Sequence, residues 1–185
     1  MRKALYVMGI LDDSDVEWLA ANGRRSTVAK GHTLIREGEP VDALFIVLEG
    51  GFDVTAGGKT VASLLSGEIV GEISFVDSRP PGATVAASRS STILAIPRKT
   101  LSARLDTDPW FASRFYRALA TFLADRLRMT TSRLGYGNAA QDNAQDKKEV
   151  RDEDEMDLDM MDSVALAAVR FDHLLKRLGE GARPV

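Results

Sequence analysis

The sequence predicts a mainly β chain with flanking helices, an α+β domain built on a compact antiparallel barrel or roll. Two observations carry this. Between Arg24 and Pro97, short β-branched or apolar segments alternate with glycine-rich turns, the spacing of a small closed β architecture. On both sides of that region, apolar residues recur every three or four positions beside capping residues, which is the pattern of amphipathic helices. At 185 residues the chain can bury one good core with an appendage.

In chain order, Ser14 followed by Glu17 fits a capping box, and Val16, Leu19 and Ala20 then share a helical face that ends near Asn22-Gly23. Strands are expected at 26–29, 33–36, 43–49, 52–56, 60–65, 84–87 and 91–96, punctuated by Gly31, Gly38, Gly50-Gly51, Gly57-Gly58 and Gly67. A short helix is expected over 98–106. Asp108-Pro109 then supplies an N-cap with proline at the first helical position. The helix that follows is expected over 109–134, stopped by Gly135 and Gly137, and would extend nearly 40 Å at about 1.5 Å per residue. Its apolar positions Phe111, Phe115, Ala118, Phe122 and Met129, flanked by Leu119, Leu123 and Leu127, form a stripe wide enough for the roll on one side and a partner helix on the other. The alternative is a helix packed wholly on its own roll.

Residues 135–162 read as an acidic linker: from Gln141 to Asp162 ten acidic residues face three basic ones. Leu158, Met161, Val164, Ala168, Phe171, Leu175 and Leu178 then repeat at helical spacing, so 163–180 is expected to be a second amphipathic helix. Two readings of its apolar face weigh equally: it folds back on its own domain or its dimer mate, or it docks another protein.

Composition narrows the function. The chain has no cysteine, which excludes disulfides, thiolate nucleophiles and Cys-type metal sites, and its two histidines, His32 and His173, lie far apart. Neither a membrane-spanning run nor a signal-peptide pattern is legible, so a cytoplasmic protein is expected. Acid, base and nucleophile do not cluster, and the expectation is a non-enzyme without cofactor.

The most specific stretch is 70–85, where Gly71-Glu72 is followed by a short segment and Gly82-Ala83-Thr84-Val85. It resembles the phosphate-binding cassette of the cyclic-nucleotide-binding domain family. Leu34-Ile35-Arg36-Glu37-Gly38-Glu39 with Leu44-Phe45-Ile46-Val47 and Gly50 resembles that family's other motif, although Val41 stands where a small residue is usual. The resemblance covers roughly 5–134 and implies a double-stranded, jelly-roll-like β-roll over 1–108 with N-terminal helices. It also implies cAMP or cGMP as ligand. Gly71 would let backbone approach it, Ile73 and Ser74 would aim N–H groups at its phosphate, and Gly82, Ala83 and Thr84 would close the cassette. Glu72 would accept from a ribose hydroxyl. Ala124–Ser132 is similar to the dimer helix of the catabolite activator branch, which implies a homodimer through 109–134, Arg126 facing the Glu72 region, and Thr130 and Thr131 reading the base, one of them across the dimer.

Pro81 stands where the family has an arginine. It offers neither charge nor N–H, a loss of about 2–4 kcal/mol of phosphate contact. Arg79, two residues earlier, reads as a solvated loop arginine. Beyond Leu134 the chain is acidic, with one legible helix and no winged helix-turn-helix pattern, so DNA binding is not expected. Two functions follow. One is a sensor or adaptor that signals by protein contact through its C-terminal helix; the other is a scaffold that binds no nucleotide.

Overall fold

The computed structural model describes residues 3–139 and 158–180; the expected acidic linker falls mainly on 140–157, outside the described residues. The chain opens with α1 (Lys3–Ile10) and α2 (Asp13–Asn22). The capping box of α2 is built on Asp12 and Asp15, not on Ser14 and Glu17. The Asp15 amide donates to Asp12 Oδ1 (2.9 Å) and the Asp12 amide donates to Asp15 Oδ2 (3.1 Å). A carboxylate two residues upstream of Ser14 can accept the first free helical amide, so the helix starts earlier.

Eight strands follow: β1 (Arg24–Val28), β2 (Thr33–Ile35), β3 (Ala43–Glu49), β4 (Gly51–Ala56), β5 (Lys59–Leu65), β6 (Ile69–Val70), β7 (Thr84–Ala87) and β8 (Ser91–Pro97), with α3 (Glu72–Asp77) between β6 and β7. They form two antiparallel four-stranded sheets, ordered β1-β8-β3-β6 and β2-β7-β4-β5. The near-continuous apolar run of β3 has a direct cause, because the strand is covered on both faces. Leu44, Ile46 and Leu48 face the helices, whereas Val47 faces the opposite sheet. Ile93 in β8 points between the sheets and Leu94 and Ile96 point to the helices in the same way.

The helical layer is completed by α4 (Arg98–Thr107), α5 (Pro109–Ala139) and α6 (Leu158–Glu180). Asp108 caps α5 as its sequence suggests, accepting from the Phe111 amide at 3.0 Å. The helix does not stop before Gly135. It runs through Gly135 and Gly137, since glycine inside a helix costs only about 1 kcal/mol relative to alanine and does not by itself end one. Phe111, Phe115, Ala118, Leu119 and Phe122 are buried, Leu123 is half-buried, and Leu127 is exposed; the Met129 side chain is outside the described residues.

Beneath α5 lies a fully buried carboxylate, Asp15. It receives Arg114 Nε at 2.7 Å and Arg104 Nη2 at 3.2 Å. Arg104 in turn lies over the rings of Phe111 (4.1 Å) and Trp18 (4.8 Å). This cluster pins α2, α4 and α5 together.

The helix α6 begins five residues before the expected start and lies on α1 and α2 of its own chain. Ala167 and Leu174 are fully buried there, and Phe171, Leu175 and Leu178 pack around them. Ala168, expected on the apolar face, is exposed; the Leu158, Met161 and Val164 side chains are outside the described residues. Arg170 fixes the register, with Nε donating to Asp13 Oδ1 at 2.6 Å and Nη1 to the Met8 and Gly9 carbonyls at the end of α1, each 3.3 Å.

Candidate functional site

The strand β6 ends at Gly71, whose φ of +88° turns the chain into α3. A Cβ there would lie 3.1 Å from the Ala43 carbonyl oxygen, so both conformation and space favour glycine. The short helix closes at Ser78, itself left-handed (φ 59°). Arg98 then clamps this end, donating to the Ser74 carbonyl (2.7 Å), the Phe75 carbonyl (3.3 Å) and Ser78 Oγ (3.0 Å). Phe75 meets Phe115 edge-on at 6.0 Å between ring centroids, which seats α3 on α5.

The loop from Ser78 to Ala83 returns to β7 along the turn after β2. The Gly38 amide donates to the Pro81 carbonyl at 2.9 Å, and the Glu37 amide donates to Thr84 Oγ1 at 3.1 Å. Between this loop, α3, the outer sheet and α5 opens a cleft of about 480 Å³, within the usual range for small-molecule sites. Of the residues anticipated from sequence, Gly71, Glu72, Ile73, Ser74, Gly82, Ala83, Arg126 and Thr130 line it.

Thr84 and Thr131 do not. The Thr84 hydroxyl braces the Glu37 turn, and Thr131 donates to the Leu127 carbonyl at 2.8 Å on the helix surface. Neighbouring positions on a helix point about 100° apart, so Thr131 is turned away from the cleft of its own chain, and its expected contact across a dimer belongs to the proposed dimer. Thr130 also donates back along the helix, to the Arg126 carbonyl at 2.9 Å, leaving its oxygen lone pairs as acceptors. Arg79 is exposed beside Asp77 (3.7 Å) and away from the cleft.

The charged centre is one pair. Glu72, 2% exposed, accepts from Arg126 Nη1, and Arg126 also lies over the Phe122 ring at 5.1 Å. Burial pushes the Glu72 carboxyl above its ordinary range, while the Arg126 charge pulls the other way. Pro81 lines the cleft as well. Its apolar walls, absent from the sequence-level site, come from Ile35, Val54, Val61, Leu64, Val70 and Val85. All but Val70 fall on expected strands, and Val70 was legible only as the first residue of the 70–85 stretch. Val61 is apolar yet more than half exposed in β5, where it faces the open cleft.

Residues 25–108 match the model of the cyclic nucleotide-binding domain. An NTE family protein of Mycobacterium bovis is 29% identical over 128 residues, which is 69% of this chain and 22% of that protein. A cGMP-dependent protein kinase of Toxoplasma gondii is 31% identical over 123 residues, 66% of this chain and 12% of the kinase. The chain thus spans about a fifth or less of the length of these curated relatives. Among solved structures, a cyclic nucleotide-binding domain from Methylobacillus flagellatus superposes with a TM-score of 0.62 at 23% identity, covering 75% of this chain and 78% of that one, a likeness of fold. With the β-roll, the Gly71-Glu72 turn and the domain match in agreement, residues 25–108 of the chain are a cyclic nucleotide-binding domain.

Proposed function

We propose that this chain is a non-enzymatic regulatory sensor whose cleft takes cAMP or cGMP, and which acts in the cytoplasm through protein contacts rather than on DNA. The observation that carries it is the convergence of Gly71, Glu72, Gly82, Ala83 and Arg126 on one cleft in a chain with this domain. Glu72 would accept a ribose hydroxyl, the first turn of α3 would face the phosphate, and Thr130 with the apolar wall of β5 would meet the base.

The output route is supported by packing. The Glu72–Arg126 pair and the Phe75–Phe115 contact tie the cleft to α5, α5 packs on α1, and α6 lies on α1. A ligand packed against the Glu72–Arg126 pair would bias α5 and so the seat of α6, whose outward Leu166 and Val169 offer the partner surface. No described helix is long and apolar enough to cross a membrane.

Titration calorimetry with cAMP and cGMP tests the reading. Glu72→Ala and Arg126→Ala should each weaken binding by about tenfold or more. Absence of heat and of any thermal shift at millimolar ligand would sink it. One observation favours a second reading, a nucleotide-free scaffold: Pro81 brings no cation to the cleft it lines.

A further inference from the structure

Among the residues lining the cleft, Glu72 and Arg126 are the ionisable ones, and they are bonded to each other. An anion entering the cleft therefore meets a cation that is already engaged, next to the carboxylate that engages it. Each of those charges cancels much of the other's field at a third group. The loop residues that line the cleft add no charged side chain: Pro81 has no N–H, Gly82 and Ala83 have no polar side chain, and Arg79 of the same loop is exposed beside Asp77 and does not line it. The six residues of α3 make a dipole of less than two turns. What the cleft has in quantity is apolar wall on two sides, Ile35, Val54, Val61, Leu64, Val70 and Val85. Such a surface gains from the faces of a base and a ribose and gains nothing from a phosphate, whose hydration must be given up on entry.

We propose that this cleft recognises the base and ribose of its ligand, with little net contribution from the phosphate, so that a nucleoside is held nearly as well as the corresponding cyclic nucleotide. The inference rests on the cyclic-nucleotide reading above and deepens it. Selectivity for the cyclic phosphate would then be weak, and the response would follow the pool of nucleosides as well as that of cyclic nucleotides.

The experiment is calorimetry on the full chain with cAMP, adenosine, cGMP and guanosine as probes, at low and high salt. Each nucleoside is expected to bind within about tenfold of its cyclic nucleotide, and that ratio should not move with salt, because the one cation among the described lining residues, Arg126, is already paired. Pro81→Arg supplies the missing charge and keeps the carbonyl that receives the Gly38 amide. It should tighten the cyclic nucleotides about thirty-fold or more and leave the nucleosides within about threefold. A cyclic nucleotide held about a hundredfold tighter than its nucleoside by the unsubstituted chain overturns the inference and leaves the sensor standing, whether or not the variant folds. Silence of all four probes overturns both.

Discussion

Glu72 shows how one residue can serve a site at some cost to stability. Its carboxyl is held in a nearly closed position, and burial raises its pKa above the ordinary 4.5 despite Arg126. The folded protein thus binds that proton more tightly than the unfolded chain does. The stabilisation this represents is complete below about pH 4.5 and is lost as pH rises through the elevated folded value. Glu72→Gln removes the titration, so the variant should gain stability relative to the parent between about pH 4.5 and 7 in urea unfolding; parallel curves across that window would contradict the assignment. Asp15 is the opposite case, a buried carboxylate answered by Arg104 and Arg114. Asp15→Ala removes the buried carboxylate that both guanidinium groups share, leaving Arg114 to Asp12 and Arg104 to Asp108, and should cost about 3 kcal/mol by the same measurement. Its role was illegible in Asp12-Asp13-Ser14-Asp15, which reads as an ordinary acidic helix start, because both arginines arrive from about ninety to a hundred residues away. Arg126 was legible only through resemblance to a known helix, and its pairing with Glu72 bridges 54 residues.

At the scale of elements, legibility followed period and punctuation. The strands β3 and β7 occur with the expected bounds, since each is an apolar run bracketed by turn residues. The two-residue β6 was not seen, because two residues carry no period, and α1 was passed over for want of capping residues. The α6 helix was seen, but its inward face was placed one position off at Ala168. The stretch from Ser163 to Phe171 is apolar or small on nearly every side, so its sequence does not mark one stripe; contact with α1 and α2 selects Ala167 and Leu174. Leu174→Ala should therefore cost about 2–4 kcal/mol and raise amide hydrogen exchange along α6 before the sheets are affected. Removing 156–185 should leave both sheets folded at a lower Tm. Loss of the β circular dichroism signal in that truncation would make α6 part of the folding core.

For the whole molecule, we propose a homodimer through α5, which has a direct test. The exposed Leu127 is on the half of α5 that leaves its own core after Phe122, where a second copy would pack. Leu127→Glu should shift sedimentation equilibrium toward monomer by about tenfold or more in dissociation constant, and a parent chain that stays monomeric at all concentrations would remove the dimer. The sequence by itself determined the β-roll with its helical flanks, because glycine turns, strand alternation and helix caps are local properties written residue by residue. It also marked Gly71-Glu72, through resemblance to a known cassette, and the structure gives Gly71 a positive φ that few residues adopt. Only the tertiary structure decided which side chains share the cleft, that Thr130 and not Thr131 faces it, that Arg126 is bound to Glu72, and that α6 rests on its own chain. Those outcomes depend on charges and surfaces brought together from distant segments, and neither periodicity nor propensity carries that information.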